Sequence, residues 1–162
     1  MIKNVYFAGG CFWCIASYFY DLPGVIDVIS GYCGGDEVNP TYEEVKSQTT
    51  GHRETIKIIY DDEKVKYKTL FNLFYANVDP FDEQGQFIDK GFSYTLAIYY
   101  QNQNEYEEVS QLIKEKENIV RKHVCISLES FKTFYDAEEY HQKWSQKHAE
   151  EFAKELKESG RK

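Results

Sequence analysis

Residues 5–14 read VYFAGGCFWC, and this stretch predicts a strand that turns directly into a helix. Its first four residues are apolar, as in a short buried strand, and Gly9 and Gly10 permit a tight turn. Apolar side chains recur at helical spacing through residues 15–19. We therefore expect Cys11 to lie at a helix N-terminus, where unpaired backbone N–H groups and the helix dipole stabilise a thiolate and lower the pKa of the thiol.

Strand and helix patterns alternate through the rest of the chain. Apolar alternation predicts strands at residues 25–30, 55–60, 94–100 and 124–128, and helical spacing predicts helices at residues 12–20, 42–46, 67–78 and 104–122. The order β-α-β-β-α-β, with further elements added, predicts an α+β fold, a ferredoxin-like α/β sandwich in which helices pack on a mixed sheet. No linker or repeat divides the sequence, so we expect a single domain over residues 1–162, with a charged helical tail from about residue 145.

Composition excludes some classes of partner and compartment. The formal net charge is -8, and an acidic surface argues against nucleic acid and against anionic membranes as main partners. The sequence contains no apolar signal segment and no stretch long enough to span a bilayer, so we expect a cytoplasmic protein. Four cysteines in such a compartment favour catalysis or metal binding over a framework of structural disulfides.

The spacing of Cys11 and Cys14 allows two chemical interpretations. Two thiols three residues apart can form a redox-active pair. They can also form half of a zinc site, which Cys33, Cys125 or His52 would complete. The sequence has no second Cys-x-x-Cys pair and no His-x₃₋₅-His pair, and this weakens the zinc interpretation. The intervening rings of Phe12 and Trp13 could line an apolar pocket beside the thiolate or simply pack in the core.

Several other side chains are candidates for proton transfer or hydrogen bonding. Glu54 directly precedes a predicted strand, near aromatic residues, and a desolvated carboxyl there would have a raised pKa and could donate a proton near neutral pH. A solvated surface Glu is the alternative. The hydroxyls of Tyr42 and Tyr94 can donate to a substrate oxygen, and Asp89 lies in a loop where it could equally form a turn. His141 has no partner apparent in the sequence, so we expect a structural or surface role for it.

Taken together, segments along most of the chain resemble the peptide methionine sulfoxide reductase A family. The order and spacing of these segments are more specific than any one of them. The segments are GCFW at 10–13, GV at 24–25, GY at 31–32, GG at 34–35, PTYE at 40–43, TGH at 50–52 with Glu54, DP at 79–80, FY at 134–135, AE at 137–138 and YHQ at 140–142.

The resemblance implies both a reaction and roles for individual residues. The family reduces the S epimer of methionine sulfoxide, free or in proteins, to methionine, and so repairs oxidised proteins. It uses no metal, flavin or nucleotide. The implied roles are Cys11 as the nucleophile that becomes a sulfenic acid, Glu54 as the proton donor, Tyr42 and Tyr94 as hydroxyl donors to the oxygen, Phe12 and Trp13 as an apolar cage for the methyl group, and Asp89 as a supporting aspartate.

The sequence departs from the family pattern around Asp89 and Tyr94. Residues 86–89 read QFID where the pattern reads QGND, and residues 93–96 read SYTL where it reads QYRS. The C-terminal tail also lacks the cysteines that many members use to reduce the sulfenic acid.

Recycling of Cys11 is therefore open. Cys14 or Cys33 could resolve the sulfenic acid, and Cys33 lies in a Gly-rich turn that we expect to be mobile. Cys125 is expected to be an inert strand residue. An external thiol reductant, such as thioredoxin, glutaredoxin or glutathione, could also act on Cys11 directly.

The sequence thus predicts a thiol-dependent reductase of methionine sulfoxide, with two alternatives. One is a general dithiol oxidoreductase that uses Cys11 and Cys14, in which Glu54 would have no purpose. The other is a non-enzymatic module that binds zinc or uses its aromatic pocket for interaction.

Overall fold

A six-stranded mixed sheet with helices packed against it forms the centre of the fold. The computed structural model describes residues 1–159. Its strands are β1 (Ile2–Ala8), β2 (Val25–Cys33), β3 (Arg53–Asp61), β4 (Gly85–Gln86), β5 (Asp89–Lys90), β6 (Ala97–Tyr100), β7 (Ser127–Ser130) and β8 (Phe134–Asp136). Its helices are α1 (Phe12–Ser17), α2 (Tyr42–Lys46), α3 (Tyr67–Ala76), α4 (Gln103–Val120), α5 (Trp144–Lys147) and α6 (Ala149–Ser159). Short 3₁₀ helices span Phe92–Tyr94 and Glu139–His141.

The order of strands in the sheet is β7-β6-β1-β3-β2-β8. β6 and β7 run parallel, and the other neighbouring strands of this sheet run antiparallel. β4 and β5 form a separate two-stranded hairpin. The α+β class and the mixed sheet predicted from the sequence are therefore confirmed. Among the described residues, no helix is both long enough and apolar enough to cross a membrane.

One face of the sheet carries the larger core and also positions the candidate site. Along β3 the side chains of Ile56, Ile58 and Tyr60 alternate onto this face, and each is at most 3% exposed. Rings and aliphatic side chains from α1, α3 and α4 cover them. Glu54 continues the same row by two residues and is 1% exposed. The strand period therefore places a carboxyl group at the end of an apolar row, where little water reaches it.

The helix α2 follows the sequence prediction to the residue. Thr41 accepts a hydrogen bond from the backbone N–H of Glu44, and the Glu44 side chain accepts one from the backbone of Thr41, which together form a capping box. Such a box satisfies two backbone donors that a helix start otherwise leaves unpaired. The cap fixes the position of Tyr42, the first residue of α2.

Other boundaries differ from the prediction because of pairing in the sheet. β2 extends to Cys33, since it pairs with β3 as far as Arg53 and with β8 as far as Phe134. Cys33 is therefore a fully buried strand residue, and the expectation of a mobile turn is wrong. Tyr94 ends a 3₁₀ helix rather than beginning a strand, because β6 pairs with β1 only at Ala97 and Ile98.

Two further differences concern the C-terminal third of the chain. Cys125 was expected in a strand, but β7 begins only at Ser127, and the backbone N–H of Cys125 instead donates to the carbonyl of Pro80. The charged tail is helical as far as Ser159, and residues 160–162 of the predicted tail lie outside the described residues. The tail is attached to the body of the fold through Trp144, whose indole stacks on that of Trp13 with ring centroids 4.2 Å apart.

Candidate active site

Cys11 lies at the junction between β1 and α1, as predicted. Gly10 adopts a φ of +88°, a left-handed conformation that favours glycine. Gly9 allows close packing, since a Cβ there would approach Phe74 Cε1 to 2.8 Å. Cys11 is the N-cap of α1, is partly exposed, and its carbonyl accepts from the backbone N–H groups of Cys14 and Ile15 at 3.1 Å each. The two glycines thus place the thiol at the start of a short helix.

Glu54 reaches the same helix start from β3. Its Oε1 accepts a hydrogen bond of 3.1 Å from the backbone N–H of Phe12. Burial raises the pKa of Glu54 to about 8, the bond from Phe12 opposes this shift, and the nearby acidic groups of Asp89 and Cys14 add to it. A hydrogen bond with Tyr94 also opposes the rise. Glu54 therefore holds a proton near neutral pH, which is the first of the two alternatives that the sequence left open.

The expected decrease in the pKa of Cys11 is wrong. A hydrogen bond with the side chain of Cys14, burial, and the nearby acidic groups of Cys14 and Glu54 raise the pKa of the Cys11 thiol well above its usual value. A backbone N–H at the helix start, that of Cys14, does favour the thiolate, but this effect is smaller than those that raise the pKa. The first backbone N–H of α1 is bonded to Glu54 rather than to the thiol.

Two phenol groups face the same space as Cys11 and Glu54. Burial, with the nearby carboxyl of Glu54 as the next contribution, raises the pKa of both Tyr42 and Tyr94 far above the usual value for tyrosine. Both hydroxyls therefore stay protonated at any physiological pH and can donate hydrogen bonds. They come from different elements, since Tyr42 begins α2 and Tyr94 ends the 3₁₀ helix before β6.

A cavity of about 320 Å³ brings most of the predicted site residues together. Its lining includes Cys11, Phe12, Trp13, Cys14, Tyr42, Glu54, Asp89 and Tyr94. It also includes Lys46, Ile88, Glu155 and Glu158, which the sequence analysis did not identify. Nothing in their local sequence marks these four residues, because they reach the cavity from α2, the loop before β5 and α6 only after the chain has folded.

Of the structural and surface roles that the sequence predicted for His141, the structure supports the structural one. It is 1% exposed, so a surface position is wrong. Its Nδ1 accepts a 3.0 Å hydrogen bond from the indole Nε1–H of Trp13, and its ring lies 4.4 Å from that of Tyr42. Trp144 stacks on Trp13 with an interplanar angle of 8°. Trp13 is therefore held in one orientation at the cavity wall.

The four cysteines occupy different environments. All four are thiols in the structure. Cys14 is buried and shares a hydrogen bond with Cys11, whereas Cys33 does not line the cavity and burial raises its pKa to about 12. Cys125 is half-buried and lies in another pocket beside Arg53. Of the other three cysteines, Cys14 is therefore the one that contacts Cys11.

The ligands suggested for a zinc site are dispersed. His52 is fully buried, and its ring nitrogens lie 3.2 Å from the backbone N–H of Gly35 and 2.8 Å from the carbonyl of Glu37. Within residues 1–159, no group of three or more His, Cys, Asp or Glu side chains is arranged to hold a metal ion.

Comparison with known proteins gives a consistent result. The family model described as peptide methionine sulfoxide reductase matches residues 3–162. The chain is 43% identical to the peptide methionine sulfoxide reductase MsrA of Bacillus velezensis, over 96% of this chain and 89% of that protein. The MsrA of Bacillus licheniformis is also 43% identical, over 96% of this chain and 87% of that protein.

Solved structures show the same likeness. The reduced form of Mxr1 from Saccharomyces cerevisiae is similar with a TM-score of 0.84 and 26% identity, over 91% of this chain and 86% of that one. Methionine sulfoxide reductase A of Corynebacterium diphtheriae is similar with a TM-score of 0.79 and 27% identity, over 91% of this chain and 76% of that one.

Proposed function

The chain belongs to the peptide methionine sulfoxide reductase family, and from that premise we propose that it reduces the S epimer of methionine sulfoxide to methionine. The substrate is the free amino acid or an oxidised methionine in a protein, so the biological role is protein repair. The observation that carries the proposal is the protonated carboxyl of Glu54 in the same cavity as the Cys11 thiol.

In the proposed reaction, the sulfur of Cys11 attacks the sulfur of the sulfoxide. Oxygen passes in net terms from the substrate to Cys11, which becomes a sulfenic acid while the substrate leaves as methionine. Cys11 is oxidised by two electrons and the substrate sulfur is reduced by two, so the thiol supplies both electrons and the step needs no cofactor. Deprotonation of Cys11 must accompany attack, because its pKa is raised in the unliganded protein.

Glu54 and the two tyrosines act on the sulfoxide oxygen in this proposal. The oxygen is a poor leaving group until it is protonated, and Glu54 holds a proton at neutral pH because it is buried. Tyr42 and Tyr94 donate hydrogen bonds to the same oxygen as negative charge develops on it. We assign Asp89 a supporting role, since it lines the cavity and its charge helps to raise the pKa of Glu54.

Selectivity for one epimer follows from the separation of polar and apolar groups. A sulfoxide sulfur is pyramidal and carries an oxygen, a methyl group and the rest of the side chain. The donors Glu54, Tyr42 and Tyr94 can receive the oxygen, while the rings of Phe12 and Trp13 can receive the methyl group. The opposite epimer would place its methyl group against the donors, which would leave buried polar groups unpaired.

For recycling, we propose that Cys14 rather than Cys33 resolves the sulfenic acid. Cys14 already contacts Cys11, and condensation of a thiol with a sulfenic acid forms a disulfide and releases water. The two residues share the first turn of α1, so disulfide formation requires that turn to adjust. A thioredoxin-type reductant would then restore both thiols, with glutaredoxin or glutathione as alternatives. Mxr1 has been solved in complex with Trx2.

The remaining expectations fit this function. We propose one catalytic domain over residues 1–162, whose charged tail is part of the site because Glu155 and Glu158 of α6 line the cavity. The central strand order β6-β1-β3-β2 supports the ferredoxin-like arrangement. We also propose a cytoplasmic location, where four thiols would stay reduced, and no nucleic-acid or membrane partner for this acidic chain.

The test uses the reduced protein and each epimer of a methionine sulfoxide peptide, without any recycling reductant. We expect methionine from the S epimer only, with two thiols lost per methionine if Cys14 resolves the sulfenic acid. Cys14→Ser should lose one thiol per methionine and accumulate the sulfenic acid of Cys11. Equal turnover of both epimers, or no methionine from either, would contradict the proposed function. Loss of only one thiol per methionine in the unmodified protein would contradict the role of Cys14 but not the proposed function.

A further inference from the structure

Gln48 combines an unfavourable backbone with an unusually well-bonded side chain. Its φ is +65°, a left-handed conformation that is strained for a residue with a Cβ. The residue is exposed, yet its side-chain amide makes two hydrogen bonds to Ser93. Nε2 donates to Ser93 Oγ at 2.8 Å, and Oε1 accepts from the backbone N–H of Ser93 at 2.9 Å. A strained residue with such contacts indicates that the contacts matter.

These contacts hold the short turn that carries Tyr94. Ser93 is 1% exposed and directly precedes Tyr94, whose backbone N–H donates to the carbonyl of Gly91 at 3.0 Å. The Gln48 amide also packs against Gly91, since a Cβ at Gly91 would approach Gln48 Cδ to 2.6 Å. The amide therefore contacts the turn at its first and third residues and fixes how the turn presents Tyr94 to the cavity.

The other end of Gln48 is joined to the helix that carries Tyr42. Its backbone N–H donates to the carbonyl of Val45 at 3.1 Å, and Nε2 also donates to the carbonyl of Lys46 at 3.2 Å. Val45 and Lys46 belong to α2, which begins at Tyr42. One residue thus connects the two elements whose hydroxyls face the thiol of Cys11.

We propose that Gln48 is a positioning residue that fixes the hydroxyl of Tyr94 relative to that of Tyr42 for the reduction step, an inference that rests on the proposed function. Gln48 touches neither Cys11 nor the cavity, so it acts through Tyr94. Ser93 lies at one of the positions where the sequence departs from the family pattern, and its hydroxyl accepts one of the two hydrogen bonds that join it to Gln48.

Replacement by glycine separates positioning from stability. Gln48→Gly removes the side-chain contacts and also relieves the backbone strain, so thermal stability should stay close to that of the unmodified protein. The single-turnover rate on the S epimer should fall by about tenfold, less than the loss expected when a hydrogen-bond donor to the oxygen is removed outright. Gln48→Glu should retain most of the rate, because a carboxylate can accept from both the N–H and the hydroxyl of Ser93.

Two further variants make the result decisive. Arg121→Gly is the matched control, since Arg121 is also exposed and left-handed (φ +56°) but ends α4, outside the cavity lining; its rate should not change. In a Tyr94→Phe background, Gln48→Gly should have no further effect on the rate. An unchanged rate in Gln48→Gly would overturn the positioning role. So would a loss of rate from Gln48→Gly that is as large in the Tyr94→Phe background as in the unmodified protein. Both results would leave the proposed function intact. No turnover of the S epimer by the unmodified protein would overturn both.

Discussion

Arg53 and Glu54 are neighbours in β3 and both are buried, but they face opposite sides of the sheet and differ in their partners. Arg53 forms an ion pair with Glu129 and donates to the hydroxyls of Tyr99 and Thr95. Glu54 forms no ion pair with any Lys or Arg of residues 1–159. A buried charge with partners stabilises the fold, whereas a buried carboxyl without a cation stays protonated and is available for chemistry.

Cys11 and Cys33 also lie on opposite faces of the sheet, one in the cavity and one in an apolar environment. Replacing Cys11 has the largest expected effect of the predictions. Cys11→Ser should abolish methionine formation, because a serine hydroxyl at this position is far less nucleophilic than a thiolate. Cys33→Ser, on the other face of the sheet, should keep the rate of the first turnover and lower only the stability, since it places a hydroxyl in an apolar environment. Single-turnover assays with circular dichroism would measure both, and methionine from Cys11→Ser would refute the nucleophile assignment.

The next prediction concerns Arg53. Arg53→Met keeps an unbranched side chain but removes the donors to Thr95, Tyr99 and Glu129. We expect a loss of about 1–3 kcal/mol in the free energy of unfolding, because Glu129 is partly exposed and can be hydrated in the variant. Activity should fall by no more than about tenfold, since the side chain points away from the cavity and reaches the site only through Phe92 and Thr95, which flank Tyr94 in the sequence. Denaturant unfolding and turnover would measure the two effects. A large loss of activity without a loss of stability would contradict the division between the faces.

Unlike Arg53, Glu54 should make the fold less stable as the pH rises. Its pKa is about 8 in the folded protein and near its ordinary value of 4.5 when unfolded, so folding favours the protonated form. This contribution to stability is complete below pH 4.5, decreases as the pH rises, and is lost once the pH passes 8. The free energy of unfolding of the unmodified protein should therefore decline relative to Glu54→Gln by on the order of a few kcal/mol across this interval. A constant difference between the two proteins would contradict a protonated Glu54.

The sequence predicted correctly those features that depend on residues close together in the chain. The turn at Gly9 and Gly10 and the helix from Tyr42 follow from residue types, whereas the burial of Glu54 was one of two alternatives that the sequence left open. In contrast, the pKa of Cys11 is raised most by a hydrogen bond with the Cys14 side chain, then by burial and by the nearby acidic groups of Cys14 and Glu54. Burial and the approach of Glu54, 43 positions later in the sequence, arise from tertiary contacts that no local pattern encodes.

The wrong expectation of a mobile Cys33 and the surface alternative for His141 show the same limit. Cys33 lies in a Gly-rich segment, but pairing with two neighbouring strands makes that segment regular. His141 lies in a charged segment, but its contact with Trp13 joins positions 128 residues apart. The residues of α6 that reach the cavity could not be predicted either, because their approach depends on how the C-terminal helices pack.

The most direct test of the account is the pH dependence of the single-turnover rate on the S epimer, for the unmodified protein and for Glu54→Gln. We predict that the rate of the unmodified protein falls at alkaline pH with an apparent pKa near 8, the value for Glu54. In Glu54→Gln the rate should be lower by about 10²–10⁴-fold, and this alkaline decline should be absent. An unchanged rate in Glu54→Gln, or the same decline in both proteins, would show that Glu54 is not the proton donor.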